Sequence, residues 1–221
     1  MDLFQAIEGR RSVRGFSERS VSRQILTAIL QCARWSPSGV NLQPWRIEVV
    51  QGETLRTLAE RLTEAAESGV PKNPDYQYHP NTWKEPYRGR RRDCGYGLLH
   101  AMGIDQGDGD GRKRAWLANY SFFNAPAVML LFMDRSLGQG AWMDMGMFVQ
   151  TILLTAHAYG LGVCPQASTA EYPDIVRQVV HVDRQYLFLC SLAMGYADHA
   201  APANTLRTTR LEVEAFARFH G

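Results

Sequence analysis

The apolar positions change period repeatedly along the chain, and each period predicts a type of element. Leu3 to Gly9 reads as a short helix running into the basic stretch Arg10-Arg11-Ser12-Val13-Arg14. Ser22 suits an N-cap, and Ile25, Leu26, Ile29, Leu30 and Ala33 then share one helical face until Pro37 stops the run. From Trp45 to Val50 the spacing drops to two, with Ile47 and Val49 opposite Arg46 and Glu48, which predicts a strand. Leu55, Leu58, Leu62 and Ala65 return to helical spacing, and Arg112 to Phe123 is also predicted helical. Ala127 to Met133 is a continuous apolar run between Pro126 and Asp134, as in a buried strand. Ala141 to Tyr159 is apolar nearly all round and predicts a central buried helix. Tyr172 to His181 reads as a helix, Tyr186 to Met194 as the last strand, and Leu211 to Phe219 as an amphipathic tail. Strands separated by unequal helical stretches, with no repeat and no dividing linker, predict one α+β domain over residues 1–221 around a small sheet.

One stretch breaks the pattern. Between Gly69 and Asp93, Pro71, Pro74, Pro80 and Pro86 sit among Tyr76, Tyr78, Trp83 and Tyr87, and Arg88-Gly89-Arg90-Arg91-Arg92 follows. So many prolines predict no long regular element, and the aromatics argue against disorder. A functional loop is expected, with residues 69–111 as a lid or excursion over a site.

Composition narrows the function. With a formal net charge of +2, the chain has no overall bias toward nucleic acid or membrane. The arginine run beside tyrosines is the one feature that suits a stacking nucleic-acid groove, and the near-neutral charge weighs against it. The first residues, Met1 to Gln5, lack the basic-then-apolar order of a signal peptide, and the apolar run from Ala125 to Met133 is too short to span a bilayer. Cys32, Cys94, Cys164 and Cys190 are scattered without a Cys-x-x-Cys, so free thiols in a cytoplasmic protein are expected. Dinucleotide, Walker, zinc-protease and serine-hydrolase signatures are missing. His157 reads as an ordinary helix side chain, and Gly107-Asp108-Gly109-Asp110-Gly111 as a flexible surface loop without the full calcium-ligand spacing. No metal is expected.

Two segments carry chemistry. In Arg10-Arg11-Ser12-Val13-Arg14, three guanidiniums and a hydroxyl fall within five residues. They could converge on one phosphate through charge-assisted hydrogen bonds, or form a solvated basic turn. In Ser36-Pro37-Ser38-Gly39-Val40-Asn41-Leu42-Gln43-Pro44-Trp45, small residues allow close backbone approach, and Asn41 and Gln43 each offer a donor and an acceptor. A planar polar heterocycle would suit this segment, and so would a plain helix-to-strand turn.

Together these segments resemble the nitroreductase family, and the resemblance spans essentially the whole chain. Further matching motifs are Ala141-Trp142-Met143-Asp144-Met145-Gly146, then Gly160-Leu161-Gly162-Val163-Cys164-Pro165-Gln166, then Gly195-Tyr196-Ala197-Asp198, Asn204 and Thr208-Thr209-Arg210. The block from Asp75-Tyr76 through Trp83-Lys84-Glu85-Pro86-Tyr87 resembles the subgroup related to nitrobenzoate reductases. The resemblance implies a nitroreductase-like fold, a small mixed sheet surrounded by helices, in an intertwined homodimer with FMN at the subunit interface. It implies that Arg10, Arg11 and Ser12 hold the phosphate and ribityl chain, with Arg207 and Arg210 returning to that end. Arg14 would stand near the pyrimidine edge, and Pro37, Ser38, Gly39 and Asn41 would reach FMN from the second subunit. Pro165, Gln166, Ala167 and Ser168 would face the isoalloxazine. Tyr76, Tyr78 and Trp83 would meet the substrate.

No side chain need act as acid or nucleophile, because the flavin carries the chemistry. NAD(P)H would reduce the flavin, leave, and give its place to a small nitroaromatic or quinone acceptor in a ping-pong cycle. Some relatives carry Glu-Gly where this chain has Ala167-Ser168, which would alter local charge. Reductive dehalogenation, enone reduction and flavin destruction are the alternative chemistries of the same fold.

Overall fold

In the computed structural model, which describes all 221 residues, the four strands are β1 (Arg46–Gln51), β2 (Ala127–Asp134), β3 (Gly162–Gln166) and β4 (Tyr186–Gly195). They form one sheet in the order β1-β2-β4-β3. The helices are α1 (Leu3–Gly9), α2 (Arg23–Ala33), α3 (Gly52–Glu67), α4 (Tyr87–Ala101), α5 (Gly109–Leu117), α6 (Gln139–Ala158) and α7 (Pro173–Val180). Local chemistry starts the first two. Asp2 and Gln5 close a capping box on α1, and Ser22 accepts the Ile25 N–H at the start of α2.

All three strand pairings are antiparallel, where a mixed sheet was expected. The one parallel contact is the isolated bridge between Ser12 and Val163, after which the N-terminal segment leaves to bridge Phe16 with Ala197. The sequence reading did not foresee β3, which contains Pro165. A proline is tolerated there because β3 is an edge strand with one ladder to satisfy.

Strand β2 is buried on both faces and divides the interior. Met129, Leu131 and Met133 join α2 and α6 in one core. Val128, Leu130 and Phe132 join α3 and α7 in the other. Strand β4 changes parity along its length, with Leu187 and Leu189 on the face that Leu192 and Met194 share later on. The register explains the change. Leu131 pairs with Cys190 and Phe132 with Phe188, so Leu189 is an extra residue with no partner in β2.

A bulge frees backbone groups that the ladder no longer satisfies, and the aromatic excursion supplies partners for them. The Phe188 N–H donates to Asp75 at 2.9 Å, and the Tyr76 hydroxyl donates to the Leu189 carbonyl at 2.5 Å. Buried Arg177 pairs with the same carboxylate, and Arg135 reaches it at 2.8 Å. The excursion is therefore stitched to the middle of the sheet at its start.

Three other elements differ from expectation. Residues from Tyr87 form α4, although the arginine run hid it. None of its residues is buried, so no apolar stripe marks it. Glu85 supplies its first turn by accepting from Gly89 N–H and Arg88. The glycine-rich stretch at 107–111 opens α5, because Asp108 accepts the Gly111 N–H. The predicted helix over 112–123 accordingly starts earlier and ends at Leu117, followed by left-handed backbone at Phe122, Phe123 and Asn124. The tail forms only a 3-10 turn at Val213–Ala215, with Phe216 and Phe219 exposed and nothing in this chain to pack a helical face.

Helix α6 was expected to be buried, yet Met143 is 72 % exposed and Met147 lies on the surface too. Trp35 and Val40 add to this uncovered apolar surface. No helix is long and apolar enough to cross a membrane.

Burial alone would raise the Asp75 carboxyl, but the Phe188 amide, Arg135 and Arg177 outweigh it and hold it below the usual carboxylate range. Its stabilising contribution is complete above the unfolded value near pH 4 and is lost as pH falls through the lowered one. Asp75→Asn should cost about 3 kcal/mol at neutral pH, as breaking a buried ion pair does. In urea unfolding, the gap from wild type should shrink as the solution is acidified past the lowered value; a gap of constant size would show that charge is not its source.

Candidate active site

Strand β3 lines one cavity with its end and, near its start, bridges the N-terminal segment that walls another. Near its start, Val163 accepts the Val13 N–H at 3.1 Å, which sets the basic segment beside the strand. The approach is close: a side chain at Gly162 would meet Val13 at 2.5 Å, so only glycine fits. The other end of β3, Pro165 and Gln166, opens into the second cavity about 10 Å further along, three residues at strand rise.

The first cavity, about 700 Å³, is walled by Arg10, Arg11, Arg14, Arg207 and Arg210, with Ser12 between them. Glu8 is its one acidic wall residue. None of the five arginines takes part in an ion pair. Arg207 and Arg210 instead donate to carbonyls of their own turns, such as Asn204 at 3.0 Å and Thr209 at 2.9 Å. The field they make is felt locally. Burial and Arg207 lower the Arg11 pKa, and burial with Arg11 and Arg10 lowers that of His157. Five guanidiniums with a single carboxylate among them leave an excess of positive charge that fits an anion with several acceptor oxygens.

Buried Asn204 holds this wall together. It accepts the Arg14 N–H at 2.7 Å and donates to the Gly15 and Asp198 carbonyls, both at 2.8 Å. The sequence reading had Asn204 only as part of a motif, without this role.

The second cavity, about 740 Å³, lies between α6 and the sheet. Pro165, Gln166 and Ala167 line it, as do Tyr76 and Tyr78. Tyr76 meets Trp142 edge-on at 4.7 Å between centroids. Trp83 does not join them. It packs against His79 at 5.2 Å and under Arg91 at 5.3 Å, because the chain has already turned toward α4. Ser168 is outside the lining, but its hydroxyl and Gln166 Oε1 are both buried without a hydrogen-bond partner. A heterocycle with donors and acceptors on its edge would satisfy them, and a flavin ring has both. Arg14 is near enough to oppose the upward shift of the Cys164 thiol, one residue before Pro165. Burial pushes that thiol up to about 11 and the Cys190 thiol up to about 12, so both stay protonated at neutral pH. This cavity offers shape and stacking surface rather than proton transfer.

The segment Pro37-Ser38-Gly39-Val40-Asn41 stays away from both cavities within one chain. Its backbone is held in an unusual form, left-handed at Val40, Asn41 and Gln43. Two contacts impose it: Ser38 Oγ accepts the Gln43 N–H, and Asp144 accepts the Gly39 N–H at 3.2 Å. Asp144 is buried and is the sole acidic residue of α6, a signal the sequence reading did not use. Val40 is a β-branched residue with positive φ that is fully exposed, so these contacts hold the strained backbone while its side chain packs against nothing in its own chain. No group of three or more His, Cys, Asp and Glu side chains is placed to hold a metal.

The profile of the Nitroreductase family matches residues 7–196. The chain belongs to the nitroreductase family. It is 34% identical over 223 residues to a 4-nitrobenzoate reductase of Pseudomonas putida, covering 100% of this chain and 96% of the relative. Among solved structures, the FMN and NADPH-dependent nitroreductase NfnB from Sphigopyxis sp. strain HMH is 33% identical with a TM-score of 0.97, and each chain is covered in full. NfnB from Mycobacterium smegmatis, solved in complex with NADPH, is also 33% identical over the full length of both chains, with a TM-score of 0.93. This nitroreductase-family chain therefore keeps the fold of its relatives along its whole length, excursion included.

The arginine cavity makes a prediction that needs no cofactor. Inorganic phosphate should raise the melting temperature of FMN-free protein saturably, beyond chloride at equal ionic strength. Arg11→Ala or Arg207→Ala should each weaken that effect about tenfold, the scale of one charge-assisted contact. Thermal shifts that respond to ionic strength alone would show a solvated basic turn.

Proposed function

We propose that residues 1–221 form one FMN-binding domain that works as a homodimeric oxidoreductase, passing electrons from NAD(P)H to a small nitroaromatic or quinone acceptor. The observation that carries this reading is the pair of cavities on either side of the contact between Ser12 and Val163, one cationic and walled by the N-terminal segment, the other apolar and lined by the end of β3. FMN has an anionic phosphate and a planar ring at opposite ends of its ribityl chain, which matches that pairing. Arg10, Arg11, Ser12, Arg207 and Arg210 hold the phosphate. Pro165, Gln166, Ala167 and Ser168 lie along the ring, and Arg14 sets a fixed positive charge at its edge. When bound there, FMN would supply the hydride-transfer chemistry between the nicotinamide and the acceptor.

The protein's own work is placement. Arg14 favours electron density at the ring edge without itself moving a proton, as an oxyanion-stabilising donor does. Tyr76 is pinned to Leu189 and braced by Trp142, so it forms a fixed wall that limits water and orients a planar substrate. Tyr78, half out in solvent, covers the mouth. The excursion from residue 69 to 111 acts as the cover of the site, with its inner edge fixed by Asp75 and Tyr76.

The dimer completes the site. Pro37, Ser38, Gly39 and Asn41 reach the FMN of the second subunit, which gives the strained, exposed loop its purpose. Exposed Met143, Met147, Trp35 and Phe219 supply apolar area for an interface of the obligate kind.

Purified protein should be yellow and dimeric, with about one FMN per chain. Arg10→Ala and Arg210→Ala should each weaken FMN binding roughly ten- to a hundredfold while leaving the fold intact, since each removes one charge-assisted contact. Flavin titration with light scattering reads both; a monomer that binds FMN tightly would contradict the shared site.

With one cavity serving both substrates, initial rates should give parallel double-reciprocal lines as the oxidant concentration is changed. Intersecting lines would mean that donor and acceptor bind together, and the single-cavity cycle would be wrong.

A further inference from the structure

The second cavity contains no charged side chain. Its walls are mostly apolar, and its polar residues are three glutamines, two tyrosines and Cys190. The donors of Tyr76, Gln77 and Gln166 are already committed, and the Tyr78 hydroxyl and the Gln139 amide, which are neutral, stand exposed at the solvent side. The Tyr76 hydroxyl donates to the Leu189 carbonyl. The Gln77 amide nitrogen donates to the His79 carbonyl at 2.8 Å and to Asn81 at 2.9 Å. The Gln166 amide nitrogen donates to the Asn119 carbonyl at 2.7 Å, and its oxygen is buried and unpartnered. Cys190 stays a neutral thiol.

The arginines of the excursion, the nearest source of positive charge in sequence, are elsewhere. Arg88 pairs with Glu85, Arg91 lies over Trp83, and Arg92 pairs with Asp93. Arg90 borders the groove between α4 and the C-terminal segment that carries Arg207. None of them lines the second cavity. The positive end of α6 does open toward it, but beside exposed Gln139, where water screens a helix terminus. A carboxylate drawn inside would lose its hydration with no cation to replace it. A neutral ring loses little and gains stacking against Tyr76 and Trp142.

We infer that the acceptor cavity selects uncharged planar aromatics and discriminates against those bearing a carboxylate. The inference rests on the proposed function for the identity of the cavity, and it deepens that reading by naming the class of oxidant.

The test uses methyl 4-nitrobenzoate and 4-nitrobenzoate, which share the nitroaryl ring and differ in charge and by one methyl group. Oxidised FMN-loaded dimer is titrated with each, and binding is followed by the flavin absorbance. The ester should bind at least about tenfold more tightly, the cost of an unpaired charge being no smaller than one lost charge-assisted contact. Equal affinity, or tighter binding of the carboxylate, overturns the inference. Gln139→Arg puts a guanidinium on the wall and should shift the affinity ratio toward the carboxylate by about tenfold. A ratio that does not move means the acceptor binds elsewhere, which also overturns it. Turnover is read separately with NADPH. An ester that binds selectively but is never reduced would refute nitro reduction while leaving the charge selectivity of the cavity established.

Discussion

The extra residue in β4 organises the working half of the molecule. At Leu189 the ladder between β2 and β4 slips by one, and two backbone groups at the centre of the sheet need other partners. Asp75 takes the Phe188 N–H, and Tyr76 serves the Leu189 carbonyl. The start of the excursion, already tied to the segment before α7 through Asn73 and Lys72, is thereby also fixed to the most buried part of the fold. Everything Tyr76 does for the second cavity follows from that stitch. The cost of burying Asp75 is met by Arg177 and Arg135, so the anchor is ionic as well as backbone-based.

The second constraint is the placement of β3 at the edge of the sheet. An edge strand can tolerate Pro165, and its free side can take the N-terminal segment at Ser12. Those two tolerances bring a cluster of guanidiniums and an apolar cavity to either end of one short strand. The cluster is electrostatically unfinished in the isolated chain, with five guanidiniums around one cavity and none of them in an ion pair. The apolar cavity has no charge to balance, and its inner donors, Tyr76 and Gln166, are already bonded to the protein. One end asks for an anion; the other accepts a flat neutral surface. The proposed cofactor answers both demands at once.

Much of the fold was legible in advance where one physical signal dominated. Helix α2 announced itself through Ser22 and a clean apolar face, and β2 through a run of apolar residues too short for a helix. Helix α4 was illegible for the opposite reason: it buries nothing, and its glycines and arginines carry no period. Strand β3 was concealed by its proline. In the site, the residue types of the basic segment were plain, and so was the peculiarity of Ser36 to Trp45. The roles of Asn204, Asp144 and Asp75 were not, since each acts through a backbone group more than sixty residues away in sequence.

The sequence by itself determined the family, the types of the main elements and the residue types available for chemistry. These follow from local periodicity, from turn chemistry and from motifs held in a few consecutive positions. The tertiary structure alone decided which of those residues meet. It gathered Arg10, Arg11 and Arg14 with Arg207 and Arg210 across nearly the whole chain, and brought Tyr76 to the bulge while leaving Trp83 under Arg91. It also turned the arginine run away from the second cavity. The physical reason is that convergence depends on long-range register: a single surplus residue in β4 sets which backbone groups are free, and no local pattern in the sequence encodes that.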